Sequence, residues 1–218
     1  MFLHGFMSNK ESFYYQTEFL SKNYNTVAID ITGFGASKHL PFPYSLDDYV
    51  NDIKTTISKL GITNYHIVCH SFGCRIALRL ATTDSRVSKL IIIGGAGLKP
   101  KRKLIYYLKV YKYKLIKRFL SKEKRLLYGS KEYQLLRGAM RESYRLIVNE
   151  YQDNEVLLIT NQTLIIFGEN DTDTPLYMAK KFAKKIKNST LYIVKNAGHF
   201  CFIEKPREIN LLIKEFLN

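Results

Sequence analysis

Short apolar runs alternate with longer segments of helical periodicity along most of this chain. The runs that predict buried strands lie at residues 1–3, 25–30, 65–69, 87–93, 163–167 and 190–194. The segments that predict helices lie at residues 11–22, 45–60, 72–82, 175–185 and 206–217. Strands that alternate with helices are typical of a mostly parallel sheet covered on both faces. The predicted fold class is therefore α/β, with a doubly wound sheet.

One predicted helix has clear signals at both ends. Ser45 precedes acidic residues at positions 47 and 48, as expected for an N-cap, and apolar residues then recur at helical spacing until Gly61. This predicts an amphipathic helix over residues 46–60.

The alternation stops at residues 98–150, where no strand pattern occurs. Apolar side chains there recur at steps of four, three, four and four, which predicts a helix with one apolar stripe; they are Leu104, Leu108, Tyr111, Leu115 and Phe119. We interpret residues 98–150 as an inserted helical cap and residues 1–97 with 151–218 as the α/β core.

The positive charge of the chain is concentrated in one segment. A chain of 218 residues with 46% hydrophobic residues can form one well-packed core. The net charge is +15, and residues 99–150 hold 16 Lys and Arg against 4 Asp and Glu, which leaves 18 and 15 for the rest. The predicted cap is therefore strongly basic, whereas the core is nearly balanced.

The cysteines and the hydropathy exclude some classes of protein. Cys69, Cys74 and Cys201 have neither an even count nor the spacing of zinc ligands, so we expect reduced thiols and no metal. No apolar run reaches the roughly 20 residues that a membrane span requires, and no signal-peptide pattern comes first. We therefore expect a cytoplasmic protein.

A serine stands at the sharpest predicted turn. The strand at residues 65–69 runs through His70 into Ser71, and a helical pattern starts at once with Phe72. A serine held on such a strained turn requires small residues two positions away on each side. Gly73 meets this requirement, and Cys69 meets it in part.

Two further polar residues follow predicted strands. Asp171 lies in the loop after the strand at residues 163–167, and His199 lies in the loop after the strand at residues 190–194. Ligand sites in open parallel sheets lie at the carboxyl ends of the strands, so these side chains can converge with Ser71. A serine needs a base to take its proton and a carboxylate to orient that base.

These residues occur within a series of motifs in order: His4-Gly5-Phe6, Asp30-x-x-Gly33-x-Gly35-x-Ser37, Cys69-x-Ser71-x-Gly73, Gly168-x-x-Asp171-x-x-x-Pro175 and Gly198-His199. With them the chain resembles the α/β-hydrolases, in particular the cap-bearing esterase and carbon–carbon hydrolase group. The resemblance implies Ser71 as nucleophile, Asp171 as acid and His199 as base, without a cofactor. It also implies an oxyanion hole formed by the backbone N–H groups of Phe6 and Phe72.

Four neighbouring residues are assigned supporting roles. We expect His4, with Gly5, to anchor the oxyanion loop, and Asp30 to hold its own loop through hydrogen bonds to the backbone. His70 is expected to be a packed or hydrogen-bonded histidine that lines the pocket.

The chain departs from the family pattern in two ways. Cys69 replaces the first glycine of the turn, which could tighten it. Family members normally carry two strands before the one that ends in His4-Gly5, and these are not evident here. We expect either that the natural start lies upstream or that a partner, such as a second copy of the chain, covers the exposed edge of the sheet.

Two interpretations of the basic cap are open. Lys and Arg alternate with tyrosines, which are Tyr106, Tyr107, Tyr111, Tyr113, Tyr128, Tyr133 and Tyr144. The favoured interpretation is a solvated lid whose tyrosines pack over the pocket of a small acyl substrate; the other is contact with an anionic membrane surface. No motif supports nucleic-acid binding.

The function expected overall is that of a carboxylesterase-like serine hydrolase (EC 3.1) that cleaves an ester or related acyl bond through an acyl-enzyme. The alternatives are a carbon–carbon hydrolase, a lysophospholipase-like enzyme at anionic membranes, and an inactive interaction protein with the same fold.

Overall fold

The computed structural model describes residues 1–102, 104–121, 124–125 and 127–218. Lys103, Lys122, Glu123 and Leu126 belong to the predicted cap and its charge count, and they lie outside the described residues.

The centre of the molecule is one sheet of six strands in the order β2-β1-β3-β4-β5-β6. The strands are β1 (Phe2–Leu3), β2 (Ala28–Ile29), β3 (Tyr65–His70), β4 (Val87–Ile93), β5 (Gln162–Gly168) and β6 (Ser189–Val194). Every neighbouring pair is parallel. The predicted α/β class with a mostly parallel sheet is confirmed.

The helices are α1 (Tyr14–Leu20), α2 (Leu46–Lys59), α3 (Phe72–Thr83), α4 (Leu104–Ile116), α5 (Lys131–Leu135), α6 (Gly138–Ile147), α7 (Leu176–Lys185), α8 (Cys201–Glu204) and α9 (Pro206–Leu217). Short 3-10 helices cover Lys10–Phe13, Lys117–Phe119 and Glu155–Leu158. The capping box predicted before α2 is present: Ser45 Oγ accepts from the Asp48 amide, and Asp48 Oδ2 accepts from the Ser45 amide.

Both faces of the sheet are buried, each under its own group of helices. Alternate residues of the central strands point to opposite faces, so Ile91 belongs to one cluster and Ile92 to the other. The first cluster is covered by α2, α3 and α7, and the second by α1, α8 and α9. This burial on both sides explains why the strands read as continuous apolar runs.

The strand predicted at residues 25–30 is shorter in the structure. Only Ala28–Ile29 forms β2, because its neighbour β1 offers only two residues with which to pair. β2 lies at the edge of the sheet. Its coverage by a second copy of the chain stays a prediction.

The described residues between β4 and β5 contain helices and no strand. The prediction that the tyrosines pack over the pocket is wrong for most of them: Tyr106, Tyr107, Tyr111 and Tyr128 are exposed, and Tyr144 lines the pocket.

In α4 the half-buried side chains include Val110 and Tyr113. At 3.6 residues per turn these lie on the side opposite Leu108 and Leu115, so the predicted apolar stripe faces solvent.

No helix within the described part of the chain is long and apolar enough to cross a membrane.

Candidate active site

The turn at Ser71 has the strained backbone that its sequence context predicts. β3 ends at His70 and α3 starts at Phe72, and Ser71 between them has φ 49° and ψ −111°. A positive φ is costly for a residue with a side chain, so the surrounding structure must enforce it. The Ser71 amide donates to Ile93 of β4, and its carbonyl accepts from the amides of Cys74 and Ala96.

Gly73 allows this turn to lie against the neighbouring strand. A Cβ at this position would be 2.3 Å from the carbonyl oxygen of Leu3 and 2.6 Å from that of His4. These are backbone atoms and cannot swing away, so a larger residue would displace α3 from β1. Cys69 on the other side is fully buried, and its Sγ donates to the carbonyl of Ile91 at 3.3 Å.

Asp171 is fixed by the loop that follows β5. Its Oδ1 accepts from the amides of Asp173 at 2.9 Å and Thr174 at 2.8 Å, and its Oδ2 accepts from the Thr174 hydroxyl at 2.8 Å. Burial opposes ionisation of this carboxyl, but hydrogen bonds from His199 and Thr174 lower its pKa below the ordinary value. Asp171 is therefore a buried carboxylate with a fixed orientation.

His199 faces that carboxylate from the loop after β6. Its Nδ1 lies 2.8 Å from Asp171 Oδ2. Because a carboxylate oxygen accepts, Nδ1 carries the proton and the neutral ring leaves Nε2 free to act as a base. The structure thus brings together two of the three predicted catalytic residues in direct contact.

Ser71 and His199 line the same cavity, together with His70 and Phe72. Among the described residues, no hydrogen bond joins the Ser71 hydroxyl to the imidazole. In enzymes without substrate such bonds are often long and shorten in the substrate complex, so this geometry agrees with a serine and base that meet during the reaction.

His70 supports the backbone of His199. Its Nε2 donates to the carbonyl of His199 at 3.0 Å, and its ring packs at 4.6 Å from the His199 ring and 4.8 Å from that of Phe202. Burial, with the neighbouring His199, lowers the pKa of His70 to about 3. His70 is therefore a neutral donor near neutral pH and lies where the sequence predicted, in the pocket wall.

The loop after β1 is held by His4. The Nδ1 of this buried ring donates to the Gly5 carbonyl at 2.7 Å, and its Nε2 accepts from the Ile31 amide at 3.0 Å. Both nitrogens are thus used with a neutral ring, and burial lowers the pKa of His4 accordingly. Gly5 leaves space for His70, because a Cβ there would be 2.9 Å from His70 Nδ1.

The two residues predicted to form the oxyanion hole are neighbours. Phe6 and Phe72 both line the cavity, and their ring centroids lie 5.7 Å apart in an edge-to-face arrangement. Neither amide donates a hydrogen bond to any part of the chain that the structure describes. Both donors are consequently available to a ligand in the cavity.

Asp30 lies outside this cavity and holds its own loop, as expected. Its Oδ1 accepts from the Lys10 amide at 2.7 Å and its Oδ2 from the Ala36 amide at 3.0 Å. Burial acts in the opposite direction, yet these hydrogen bonds lower the pKa of Asp30.

The cavity has a volume of about 430 Å³. Its wall combines the polar groups above with aromatic and aliphatic side chains, including Tyr49, Tyr144, Ile147 and Val148. This size and composition suit a small, largely apolar molecule that is oriented by a few polar groups. The described residues contain no cluster of His, Cys, Asp or Glu that could hold a metal ion.

Three residues of the site were not singled out from the sequence. Thr174 bonds Asp171, and Gly94 lies below the imidazole, where a Cβ would be 3.1 Å from His199 Nδ1. Arg75 lines the cavity and donates to the carbonyls of Ile147 at 3.1 Å and Glu150 at 2.6 Å. The glycine pair after β4 was a visible signal for Gly94, whereas the other two contacts join segments that are distant in sequence.

Comparison with known proteins assigns this architecture to a class of hydrolases. The chain belongs to the alpha/beta hydrolase family, whose sequence profile matches residues 1–210. It is 28% identical to the AB hydrolase superfamily protein YisY of Bacillus subtilis (strain 168), over 100% of this chain and 91% of that protein. It is 27% identical to monoacylglycerol lipase ABHD6 of Bos taurus, over 100% of this chain and 74% of that protein.

A solved structure shares the fold. The meta-cleavage product hydrolase CumD of Pseudomonas fluorescens IP01 superimposes with a TM-score of 0.76 and 24% identity, over 100% of this chain and 89% of that one. At this identity the likeness supports the fold alone.

Proposed function

We propose that this hydrolase is a serine hydrolase that cleaves an ester or related acyl bond of a small, apolar substrate. The observation that carries the proposal is the Asp171–His199 pair, joined at 2.8 Å, whose imidazole lines the cavity that the strained Ser71 also lines. A carboxylate, an imidazole and a serine, brought together at one edge of the sheet, are the groups that nucleophilic acyl transfer requires.

In the proposed mechanism, the His199 Nε2 takes the proton from the Ser71 hydroxyl as its oxygen attacks the carbonyl carbon of the substrate. Asp171 keeps the proton on Nδ1 and stabilises the imidazolium that forms. The imidazolium then protonates the leaving alkoxide, which departs and leaves Ser71 acylated. Water, deprotonated by the same Nε2, then attacks the acyl carbon. The bond from that carbon to the Ser71 oxygen breaks, the acid leaves, and the imidazolium returns its proton to the serine oxygen.

The negative oxygen of each tetrahedral intermediate needs donors that are already in place. The backbone N–H groups of Phe6 and Phe72 fill this role in our proposal, since both belong to the cavity wall and both lack partners among the described residues. Preorganised donors of this kind contribute roughly 3 to 4 kcal/mol each to transition-state stabilisation.

The proposed substrate class follows from the cavity. Its volume of about 430 Å³ and its aromatic wall favour a short acyl or aryl ester over a large polar one. The relatives named as a monoacylglycerol lipase and a putative esterase/lipase, which are 27% and 24% identical to this chain, support hydrolysis of an ester bond.

Labelling with a fluorophosphonate tests the proposal, because this reagent reacts with a serine that a base activates. We expect stoichiometric labelling of the native chain at Ser71, no labelling of Ser71→Ala and strongly slowed labelling of His199→Ala. Ser8 provides the matched control, since it lines the same cavity but, unlike Ser71, does not itself have a positive φ. Ser8→Ala should label like the native chain.

An acyl-chain series of chromogenic esters, run beside a vinylogous diketone, then separates ester hydrolysis from carbon–carbon hydrolysis. A folded chain that neither labels nor turns over any of these compounds would contradict the proposal and favour an inactive interaction protein.

A further inference from the structure

The apolar stripe of α4 lies on the outside of the molecule. Four exposed apolar side chains of α4 and one of the 3-10 helix that follows it continue this stripe. We call Leu104, Leu108, Tyr111, Leu115 and Phe119 the α4 stripe; all five side chains are between 55% and 77% exposed. α4 itself contains no buried residue. Helices of globular proteins normally turn such a stripe toward the core, and exposed apolar patches of this kind mark interaction surfaces.

The side of α4 opposite the stripe is less exposed. Val110 and Tyr113 are half-buried, and the Tyr113 ring packs against Tyr128 at 5.0 Å. The amide of Lys101, just before the helix, donates to the Tyr177 hydroxyl of α7 at 3.2 Å. The side of α4 that carries the stripe is therefore the more exposed one.

Basic side chains lie on both sides of the stripe: at 3.6 residues per turn Lys112 and Lys114 border it, whereas Lys117 lies opposite. Residues 104–119 contain five basic residues and no acidic one; the basic residues are Lys109, Lys112, Lys114, Lys117 and Arg118. Long basic side chains can lay their methylene groups along an apolar surface while the charge stays in water. The surface thus combines a central apolar strip with a positive border.

We propose that the α4 stripe docks on the surface of an anionic lipid membrane, with the helix parallel to the membrane plane. Leucine, tyrosine and phenylalanine side chains would enter the region between headgroups and acyl chains, and the lysines would contact the lipid phosphates. α4 has 13 residues, which makes it about 20 Å long, too short to span a bilayer core of about 30 Å.

The charge argues against the other occupants of such a face. A second copy of the chain would bring an equally basic border against this one, within a protein of net charge +15. Nucleic acid matches the charge, but its phosphates and bases gain little from exposed leucines at positions 104, 108 and 115. An anionic membrane matches both the apolar strip and its border.

This inference does not rest on the proposed hydrolysis, because no residue of the α4 stripe lines the cavity. Failure of one would leave the other intact.

Vesicle co-sedimentation tests the inference. The full chain should bind vesicles of phosphatidylcholine mixed with phosphatidylglycerol and should bind pure phosphatidylcholine much more weakly. The triple variant Leu104→Ser, Leu108→Ser, Leu115→Ser should lose binding by roughly a hundredfold or more. The triple variant Lys109→Gln, Lys112→Gln, Lys114→Gln should lose roughly fivefold per lysine, and added salt should have the same effect.

Matched controls come from exposed residues elsewhere. Leu60→Ser, Leu158→Ser, Leu211→Ser and, separately, Lys180→Gln, Lys187→Gln, Lys195→Gln should bind like the native chain. Circular dichroism checks that each variant is folded. Equal binding to both vesicles, or equal loss in the controls, would overturn the inference. Lipid-free self-association that the leucine variant abolishes would instead assign the face to a second copy, and tight oligonucleotide binding without vesicle binding would assign it to nucleic acid.

Discussion

The carboxyl edge of the sheet carries the candidate catalytic residues Ser71, Asp171 and His199 and is called the catalytic edge here. It differs from the helix α4 in how firmly the rest of the chain holds each side chain in place. At the edge, Asp171 accepts three hydrogen bonds from its own loop and one from His199, and the backbone of His199 is held by His70. In α4, by contrast, no residue is buried. Rigid positioning and exposed contact area thus belong to different regions of this fold.

A physical difference underlies this division. Loops that follow buried parallel strands start at strand ends that the core holds rigidly. Their first side chains therefore lie close together at one edge of the sheet and can move little. A short helix inserted between two strands is fixed only where its side chains meet the core, and α4 offers few such contacts. Changes to the first region should therefore act on catalysis and stability, and changes to the second on binding to a surface.

The largest effect is expected for His199, the proposed general base at the catalytic edge. His199→Ala removes the group that accepts the serine proton, and we expect kcat for a water-soluble ester to fall by roughly 10⁴-fold to 10⁶-fold. The α4 variant Leu108→Ser should leave that kcat unchanged. Steady-state kinetics on both proteins checks the pair, and near-native activity of His199→Ala would remove the assignment.

The next largest effect is on the free energy of unfolding, and it distinguishes a leucine of the sheet from a leucine of α4. Leu90 in β4 is fully buried, whereas Leu108 is 60% exposed. Leu90→Ala should lower the free energy of unfolding by about 3 to 5 kcal/mol, because it leaves a cavity in the core. Leu108→Ala should change it by less than about 0.5 kcal/mol. Urea denaturation of both variants gives the two numbers, and similar losses would mean that α4 is packed.

The next effect concerns acid, and it is smaller within any one unit of pH. Burial lowers the pKa of His70 from 6.5 to about 3, so between these pH values the unfolded chain binds a proton that the folded chain does not. The resulting stability is fully present above pH 6.5 and is lost as the pH falls toward 3, by up to about 1.4 kcal/mol per pH unit.

His4, whose pKa burial also lowers, adds to this loss in the same direction. His70→Gln keeps a donor for the His199 carbonyl but does not titrate, so its unfolding free energy should fall less steeply with acid. Urea denaturation over a pH series measures both slopes, and an unchanged slope in the variant would contradict the assignment.

The smallest effect tests a positioning residue. Thr174→Val removes the hydroxyl that bonds Asp171 Oδ2 at 2.8 Å and keeps the side-chain shape, and we expect kcat to fall by about tenfold with KM little changed. Thr174→Ser should restore most of the loss, because it restores the hydroxyl. Steady-state kinetics of both variants, normalised by fluorophosphonate titration, checks this; a similar loss in both would indicate a packing defect.

Much of the fold could be predicted because local signals and burial agree. Continuous apolar runs predicted the central strands, since the sheet is buried on both faces, and the capping box at Ser45 predicted the start of α2. β2 was predicted too long, because the length of an edge strand depends on its partner. Pairing is a property of the folded chain, whereas apolar character is a property of the segment.

The candidate site was predictable to the same extent. Ser71, Asp171 and His199 each follow a predicted strand, so their convergence could be expected from topology. Thr174 and Arg75 could not, because their partners are chosen by the path of loops. The apolar stripe of α4 shows a further limit: periodicity indicates that a helix has an apolar face, but it does not say whether that face meets the core or the solvent.

Arg75 gives the cap region a defined attachment, with a consequence for protein engineering. Its guanidinium donates to the carbonyls of Ile147 and Glu150, and the amide of Tyr44 donates to the Ser143 hydroxyl. These hydrogen bonds hold residues 143–150, at the end of the cap region, against the core next to the cavity. None of the described residues from 104 to 121 lines the cavity, whereas Glu132 does. Helices of other polarity could therefore be grafted in place of α4, which makes this chain a scaffold whose surface preference can be exchanged while the cavity wall is kept.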